Sequence, residues 1–142
     1  MSWCLVLTCA PGREAGFIVA SRVSKLDGMI LALEEDSVLY VYDTPAAAVE
    51  AVEGLDAEAT FREVFDELAQ PCSIDWVEPN RFGRKWLGFF RTCMNGSYRL
   101  VPAGGPNEAA LLRAIRAAVA IDPRSAEPTV RALAERLVRH QG

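Results

Sequence analysis

Hydrophobic positions along the chain switch between two periods, and each switch predicts an element. Trp3–Cys9 is a short apolar run that predicts a strand. Ala10-Pro11-Gly12 closes it, because proline and glycine interrupt regular structure. Phe17–Val23 and Met29–Glu35 are two more apolar runs, on either side of Lys25-Leu26-Asp27-Gly28, where Asp-Gly marks a turn. Val38–Tyr42 adds a β-branched and aromatic run. The chain is therefore expected to open as an antiparallel meander.

At Asp43-Thr44-Pro45 the period lengthens. Thr44 can accept a bond from an orphan amide, and Pro45 suits the first helical position, so a helix over Pro45–Leu55 is predicted. Ala48, Val49, Val52 and Leu55 share its inner face, Glu50 and Glu53 its outer one, and Gly54 stands near its end as a breaker. Residues 59–68 fit two templates. Phe61, Val64, Phe65 and Leu68 recur at helical spacing, whereas Phe61, Glu63 and Phe65 alternate as in a strand, and helix is the slightly better match. Cys72–Glu78 alternates Cys72, Ile74 and Trp76 against Ser73, Asp75 and Glu78, which predicts a strand.

Asn95-Gly96, between Trp86–Met94 and Ser97–Val101, predicts a hairpin, since a type I′ turn needs positive φ at both central residues. A helix over Pro106–Ile121 follows, with Leu111, Leu112, Ile115 and Val119 on one stripe, and Asp122-Pro123 ends it. A last helix over Glu127–Arg139 turns Val130, Leu133, Leu137 and Val138 inward. This order predicts an α+β fold in one domain, 1–142. The expected arrangement is a mostly antiparallel sheet of five to seven strands, with the helices Pro45–Leu55, Pro106–Ile121 and Glu127–Arg139 packed on one face.

Composition narrows the class. With 51% hydrophobic and 24% charged residues in 142, the chain is neither mainly disordered nor collagen-like. No apolar run approaches the roughly 20 residues of a membrane-spanning helix. No Lys or Arg precedes Trp3–Cys9 as a secretory signal requires, so a cytoplasmic protein is expected. Cys4, Cys9, Cys72 and Cys93 read as reduced, mostly buried thiols, and their spacing lacks the short pairs of a zinc site, so no metal or cofactor is expected.

Groups suited to catalysis are scarce. His140 is the only histidine, three residues from Gly142 inclusive, so any Ser-His-Asp or Cys-His mechanism would have to work from there. Neither a phosphate loop, nor a dinucleotide fingerprint, nor a zinc-protease motif occurs. Gly104-Gly105-Pro106 before a helix, with Arg81, Arg84 or Arg99, would suit an anion, but the glycines are also what a strand-to-helix connection needs. Arg81, Arg84, Lys85 and Arg91 interleave with Phe82, Trp86, Phe89 and Phe90 like a base-stacking strip. A cationic loop entering an apolar strand accounts for the same letters, and the net charge of −4 argues against nucleic acid.

Charge distribution says more. From Asp27 to Glu67 there are 12 acidic residues against Arg62 alone, a formal −11, whereas residues 79–142 carry 11 basic and 4 acidic residues, a formal +7. Glu34, Glu35 and Asp36 form one acidic cluster, and Glu63, Asp66 and Glu67 another. Their polar contexts suit a solvated acidic face better than an acid–base pair, which needs burial to separate two pKa values. Such a bipolar chain can pack on itself, assemble with its own copies, or steer a basic partner to its acidic side.

Val41-Tyr42-Asp43-Thr44-Pro45-Ala46-Ala47-Ala48, Gly54-Leu55-Asp56, Phe65-Asp66-Glu67 and Tyr98-Arg99-Leu100-Val101-Pro102-Ala103-Gly104-Gly105, followed by Asn107–Ile115, resemble a loose group of short bacterial proteins. Some of these resemble immunity proteins that neutralise secreted antibacterial toxins. The likeness runs over about residues 38–118 and consists of punctuation rather than a catalytic motif. In that group the counterpart of Phe61–Phe65 reads as a strand followed by a turn at glycine, where this chain has Leu68-Ala69-Gln70. The resemblance implies a non-enzymatic protein that binds a cognate toxin. Glu34, Glu35, Asp36, Glu63, Asp66 and Glu67 are the residues expected to meet a basic toxin surface. The alternative is a regulator that binds a small anion, or an enzyme that uses its carboxylates.

Overall fold

A computed structural model describes residues 26–83 and 93–142. The expected strands Trp3–Cys9 and Phe17–Val23, and most of Trp86–Met94, lie outside those residues. β1 (Ile30–Glu34) and β2 (Val38–Tyr42) form the hairpin that the apolar runs predict, with Ile30 opposite Tyr42 and Leu33 opposite Leu39. Its loop closes because Asp36 Oδ1 accepts the Val38 N–H at 2.9 Å and Ser37 takes a φ of 63°, the left-handed position of a three-residue hairpin loop.

All five residues of β1 are buried, so this strand needs a partner on each edge and a layer on each face. β3 (Phe61–Asp66) supplies the second edge, antiparallel to β1. Residues 61–66 are thus a strand, against the slight helical preference of the spacing. A strand sends Val64 and Phe65 into cores on opposite faces and leaves Leu68 exposed, whereas the helical stripe would have buried Leu68 with them. The turn after β3 uses Ala69 at φ 63°, in the conformation usually left to glycine, with its methyl buried.

On one face, Leu31, Leu33, Leu39 and Phe65 pack against α3 (Glu108–Ala117) and α4 (Glu127–Gln141). Asn107 caps α3, its Oδ1 accepting the Ala110 N–H at 3.0 Å. The predicted helix Pro106–Ile121 is shorter than expected, because β8 (Ala120–Asp122) leaves it to pair parallel with β2. Val119 is consequently exposed rather than inward, its N–H bonded to the Ser37 carbonyl at 2.9 Å. Val130, Leu133 and Leu137 of α4 are buried as expected, but Val138 faces solvent. The main sheet has the order β3-β1-β2-β8.

On the other face, Ile30, Ala32 and Val64 meet α1 (Pro45–Ala51), α2 (Gly54–Thr60), and the two-stranded sheet of β4 (Cys72–Glu78) and β7 (Ser97–Pro102). The fold is α+β. Two of the expected helices share a face, while the counterpart of Pro45–Leu55 lies on the opposite one and is broken in two at Val52, whose backbone is extended. Thr44 caps α1 as predicted, accepting the Ala47 N–H at 3.1 Å.

The expected hairpin centred on Asn95-Gly96 does not form. β5 (Arg81–Phe82) pairs with β6 (Cys93–Met94), prolonging the β4–β7 ladder past those two residues instead of turning at them. Gly96 is held there because its N–H donates to Asn80 Oδ1 at 2.8 Å, while Asn80 Nδ2 donates to the Gly54 carbonyl at 2.8 Å. Asn95 reaches the same helix start, accepting the Leu55 N–H at 3.3 Å and donating to Glu53 Oε2 at 3.0 Å. These bonds fasten α2 to the ribbon.

Candidate functional site

The sheet separates two layers of opposite charge. Residues 43–60, which include α1 and α2, carry Asp43, Glu50, Glu53, Asp56 and Glu58 and no basic residue, and all five are exposed. Across the sheet, α3 and α4 expose Arg113, Arg116, Arg131, Arg136 and Arg139 together with Glu127 and Glu135, so this layer is mixed with a basic excess. The β1–β2 turn joins the acidic layer, since the Glu35 N–H donates to the Thr60 carbonyl at the end of α2 (3.0 Å).

The six carboxylates expected to form one binding patch are distributed differently. Glu35 and Asp36 are exposed on the turn, beside α2. Glu34 is only 8% exposed, and its Oε1 accepts the Tyr42 hydroxyl at 3.0 Å. Glu63 lies on β3 toward the α3 layer, 3.9 Å from Arg113. Asp66 and Glu67 sit at the far end of β3, the full length of β1 away from Glu34, or roughly 13 Å at the usual strand rise. Asp66 is 4% exposed, and its Oδ1 accepts the Leu68 and Gln70 N–H groups at 2.9 and 2.8 Å, which is the work of a turn rather than of a contact surface. Glu67 is exposed, and its carbonyl accepts a bond from Arg136 at 3.0 Å. Of the expected patch, Glu35 and Asp36 belong to the acidic layer as surface groups.

Side chains that the sequence reading did not single out complete this surface. Tyr40 and Tyr42 stack with centroids 6.4 Å apart, and the Tyr40 hydroxyl donates to Asp36 Oδ2 at 3.2 Å. Trp76 donates from Nε1 to Glu58 Oε1 at 3.0 Å, and its ring meets Tyr98 edge-on at 5.6 Å. The period-two spacing of Tyr40 and Tyr42 was the available signal for their shared face. Glu58 and Trp76 are 18 residues apart, and only the fold unites them.

Burial and neighbouring charge raise the pKa of several of these groups. Glu34 is held above the usual carboxylate range by burial first and by the Asp36 charge, with the Tyr42 bond acting the other way. Burial, then the Glu34 charge, pushes the Tyr98 phenol up to about 12, and Tyr42 is raised by the same two causes together with its bond to Glu34. The Cys72 thiol, half-buried beside Asp66, is pushed up to about 12 by burial first, so it is a poor nucleophile at neutral pH. Cys93 is exposed, against the expectation of mostly buried thiols, and Cys4 and Cys9 lie outside the described residues.

The raised Glu34 pKa fixes the sign of one prediction. Between the ordinary carboxylate pKa and the raised one, the folded protein holds more protons than the unfolded chain, so this group's contribution to stability falls as pH rises through that window. Glu34→Gln keeps an acceptor for Tyr42 and removes the buried charge. It is expected to stabilise the protein at pH 7, by at most about 1 kcal/mol, with the difference vanishing below the ordinary carboxylate range. Urea midpoints at pH 7 and pH 4 check this, and a less stable variant at pH 7 would refute it.

Other groups that the sequence singles out make structural contacts among the described residues. Asn107 caps α3 after Gly104-Gly105, the Gly104 carbonyl accepts a bond from Gln70, and Arg99 is engaged with Asp75 at 2.7 Å, while Arg84 lies outside the described residues. His140 joins α4 to α3, with Nδ1 3.2 Å from Glu108 Oε1. Among the described residues no three His, Cys, Asp or Glu side chains converge as metal ligands, and no helix is long and apolar enough to cross a membrane. No protein-family model, no curated protein and no solved structure matches the chain.

Proposed function

We propose that this is a non-enzymatic protein-binding domain that holds a basic partner on its acidic layer, and that it serves in the bacterial cytoplasm as an immunity protein neutralising a toxin by covering it. The observation that carries this reading is the segregation of charge across the sheet. A solvated face bearing Glu35, Asp36, Asp43, Glu50, Glu53, Asp56 and Glu58 without a cation among residues 43–60 produces a field that speeds the approach of a basic surface. Tyr40 and Trp76 beside it supply amphipathic contact area of the kind that anchors interfaces. Inhibition then follows from occlusion, and the chemistry resides in the partner.

The test begins with co-purification from the native cells at low and high salt, followed by stopped-flow association with the retained protein. Glu35, Glu50 and Asp56 make no side-chain bond to the rest of the described fold, so reversing all three to Lys leaves its internal contacts in place. The triple variant is expected to associate several-fold more slowly at low salt, with the difference shrinking as salt rises. Co-expression should also protect cells from the retained protein. An unchanged on-rate would remove the acidic layer from the account, and a retained protein with no toxicity would remove the immunity role.

A further inference from the structure

α3 and α4 pack together on one face of the main sheet, and a groove of about 500 Å³ runs over both. Leu112, Ala134 and Val138 form its apolar floor, and Val138 is the most open of the three at 47% exposure. Residues 131, 134, 135 and 138 recur at helical spacing, so a single stripe of α4 supplies most of the lining. Arg116, Arg131 and Arg139 stand around the floor, with Glu135 as the carboxylate among them. Arg131 is bonded to Glu127 at 3.1 Å, whereas Arg116 and Arg139 have no bonded partner among the described residues. The groove is thus an apolar strip with a basic excess at its rim.

The acidic layer has the reverse pattern. Ala46, Ala51 and Ala59 are exposed on α1 and α2, between Glu50, Glu53 and Asp56. Methyl groups there leave low relief among the carboxylates, so another surface can approach closely. These two surfaces lie on opposite faces of the sheet. A chain cannot lay its own acidic layer in its own groove, and two copies related by a twofold axis cannot make both contacts at once.

We infer that the α3–α4 groove receives the acidic layer of a second copy of this chain, giving a reversible head-to-tail assembly. Arg116 and Arg139 meet carboxylates of the second copy, and its exposed alanines cover Val138. Each contact leaves a groove free at one end and an acidic layer free at the other, so assemblies lengthen with concentration. The charges stay at a solvated rim, where salt screens them, and the association is accordingly weak and salt-sensitive. The basic partner proposed above and a second copy then compete for one face, so assembly sets how much of the acidic layer is open. That competition rests on the protein-binding reading, whereas the assembly itself does not.

Sedimentation equilibrium and light scattering of the full-length protein, over a range of concentration at low and high salt, test this. The mean mass is expected to rise with concentration at low salt and to return to that of the monomer at high salt. Two variants locate the contact: Arg116→Glu with Arg139→Glu in the groove, and the triple reversal of Glu35, Glu50 and Asp56 to Lys in the acidic layer. Circular dichroism confirms that both fold. Each alone should be monomeric, and an equimolar mixture should assemble again, because lysines then face glutamates at one contact and the native groups meet at the other. Val138→Ser should weaken assembly several-fold without changing any charge. A wild-type chain that stays monomeric at low salt overturns the inference, as does assembly that persists in either charge variant, a mixture that stays monomeric, or assembly indifferent to Val138→Ser. The groove variant retains the acidic layer and should bind the basic partner at the wild-type rate. A monomeric wild type that still captures a basic partner would reject only the assembly, and an assembling chain that captures none would reject only the protein-binding reading.

Discussion

Gly96→Ala is expected to cost about 4 kcal/mol or more, a large part of the stability of a domain this size, and to lower Tm by roughly 12 °C or prevent folding. A Cβ at this position would stand 2.2 Å from the Glu78 carbonyl oxygen, 2.7 Å from the Asn80 nitrogen and 2.7 Å from the Pro79 carbonyl carbon. All three are main-chain atoms within the ribbon, so no flexible side chain can swing away to make room. Relief requires separating the β4–β7 ladder from the strand that prolongs it. That movement would break the bonds from Asn80 and Asn95 to the start of α2. Gly105→Ala is the matched control, because nothing lies within 4 Å of its added Cβ, and a change within about 0.5 kcal/mol is expected. Thermal and urea unfolding of the two variants measures both. A Gly96 variant as stable as the Gly105 variant would show that the ribbon does not run as described.

Asp66→Ala should destabilise by about 3 kcal/mol, because two main-chain donors lose a charged acceptor in a buried turn. The turn also contains Ala69 at φ 63°, a conformation that the two Asp66 bonds help to hold. Asp66→Asn retains an oxygen for the same two amides and should recover more than half of the loss. Urea denaturation gives both numbers. Equal losses for Ala and Asn would mean that the charge, rather than the acceptor, matters. A loss below about 0.5 kcal/mol for Ala would return Asp66 to the list of surface carboxylates available to a partner.

Elements with a complete local signal were legible in the chain. Thr44-Pro45 marks the start of α1, the apolar runs around Asp36 form the β1–β2 hairpin, and Val130, Leu133 and Leu137 define the buried face of α4. The α+β class follows from their order. The charge asymmetry was legible too, because it is a property of composition along the chain.

Its meaning as two faces was not, since only the sheet places residues 43–60 on one side and the arginines of α3 and α4 on the other. The candidate patch shows the same division: Glu34 and Glu35 are adjacent in sequence, yet one is buried against Tyr42 and the other is exposed. Strand 61–66 was decided by the unfilled edge of β1, and Val119 by the edge of β2, both of which outweighed helical spacing. Asn95-Gly96 had the letters of a tight turn, but its side chain and backbone met Gly54, Leu55 and Asn80 from distant parts of the chain. Periodicity and capping act over a few residues and so can be read from one segment. Edge pairing and the close approach of glycines depend on segments distant in the chain, as for Asn80 with Gly96, 16 residues apart, or Val52 with Tyr98, 46 apart, and only the tertiary structure brings those together.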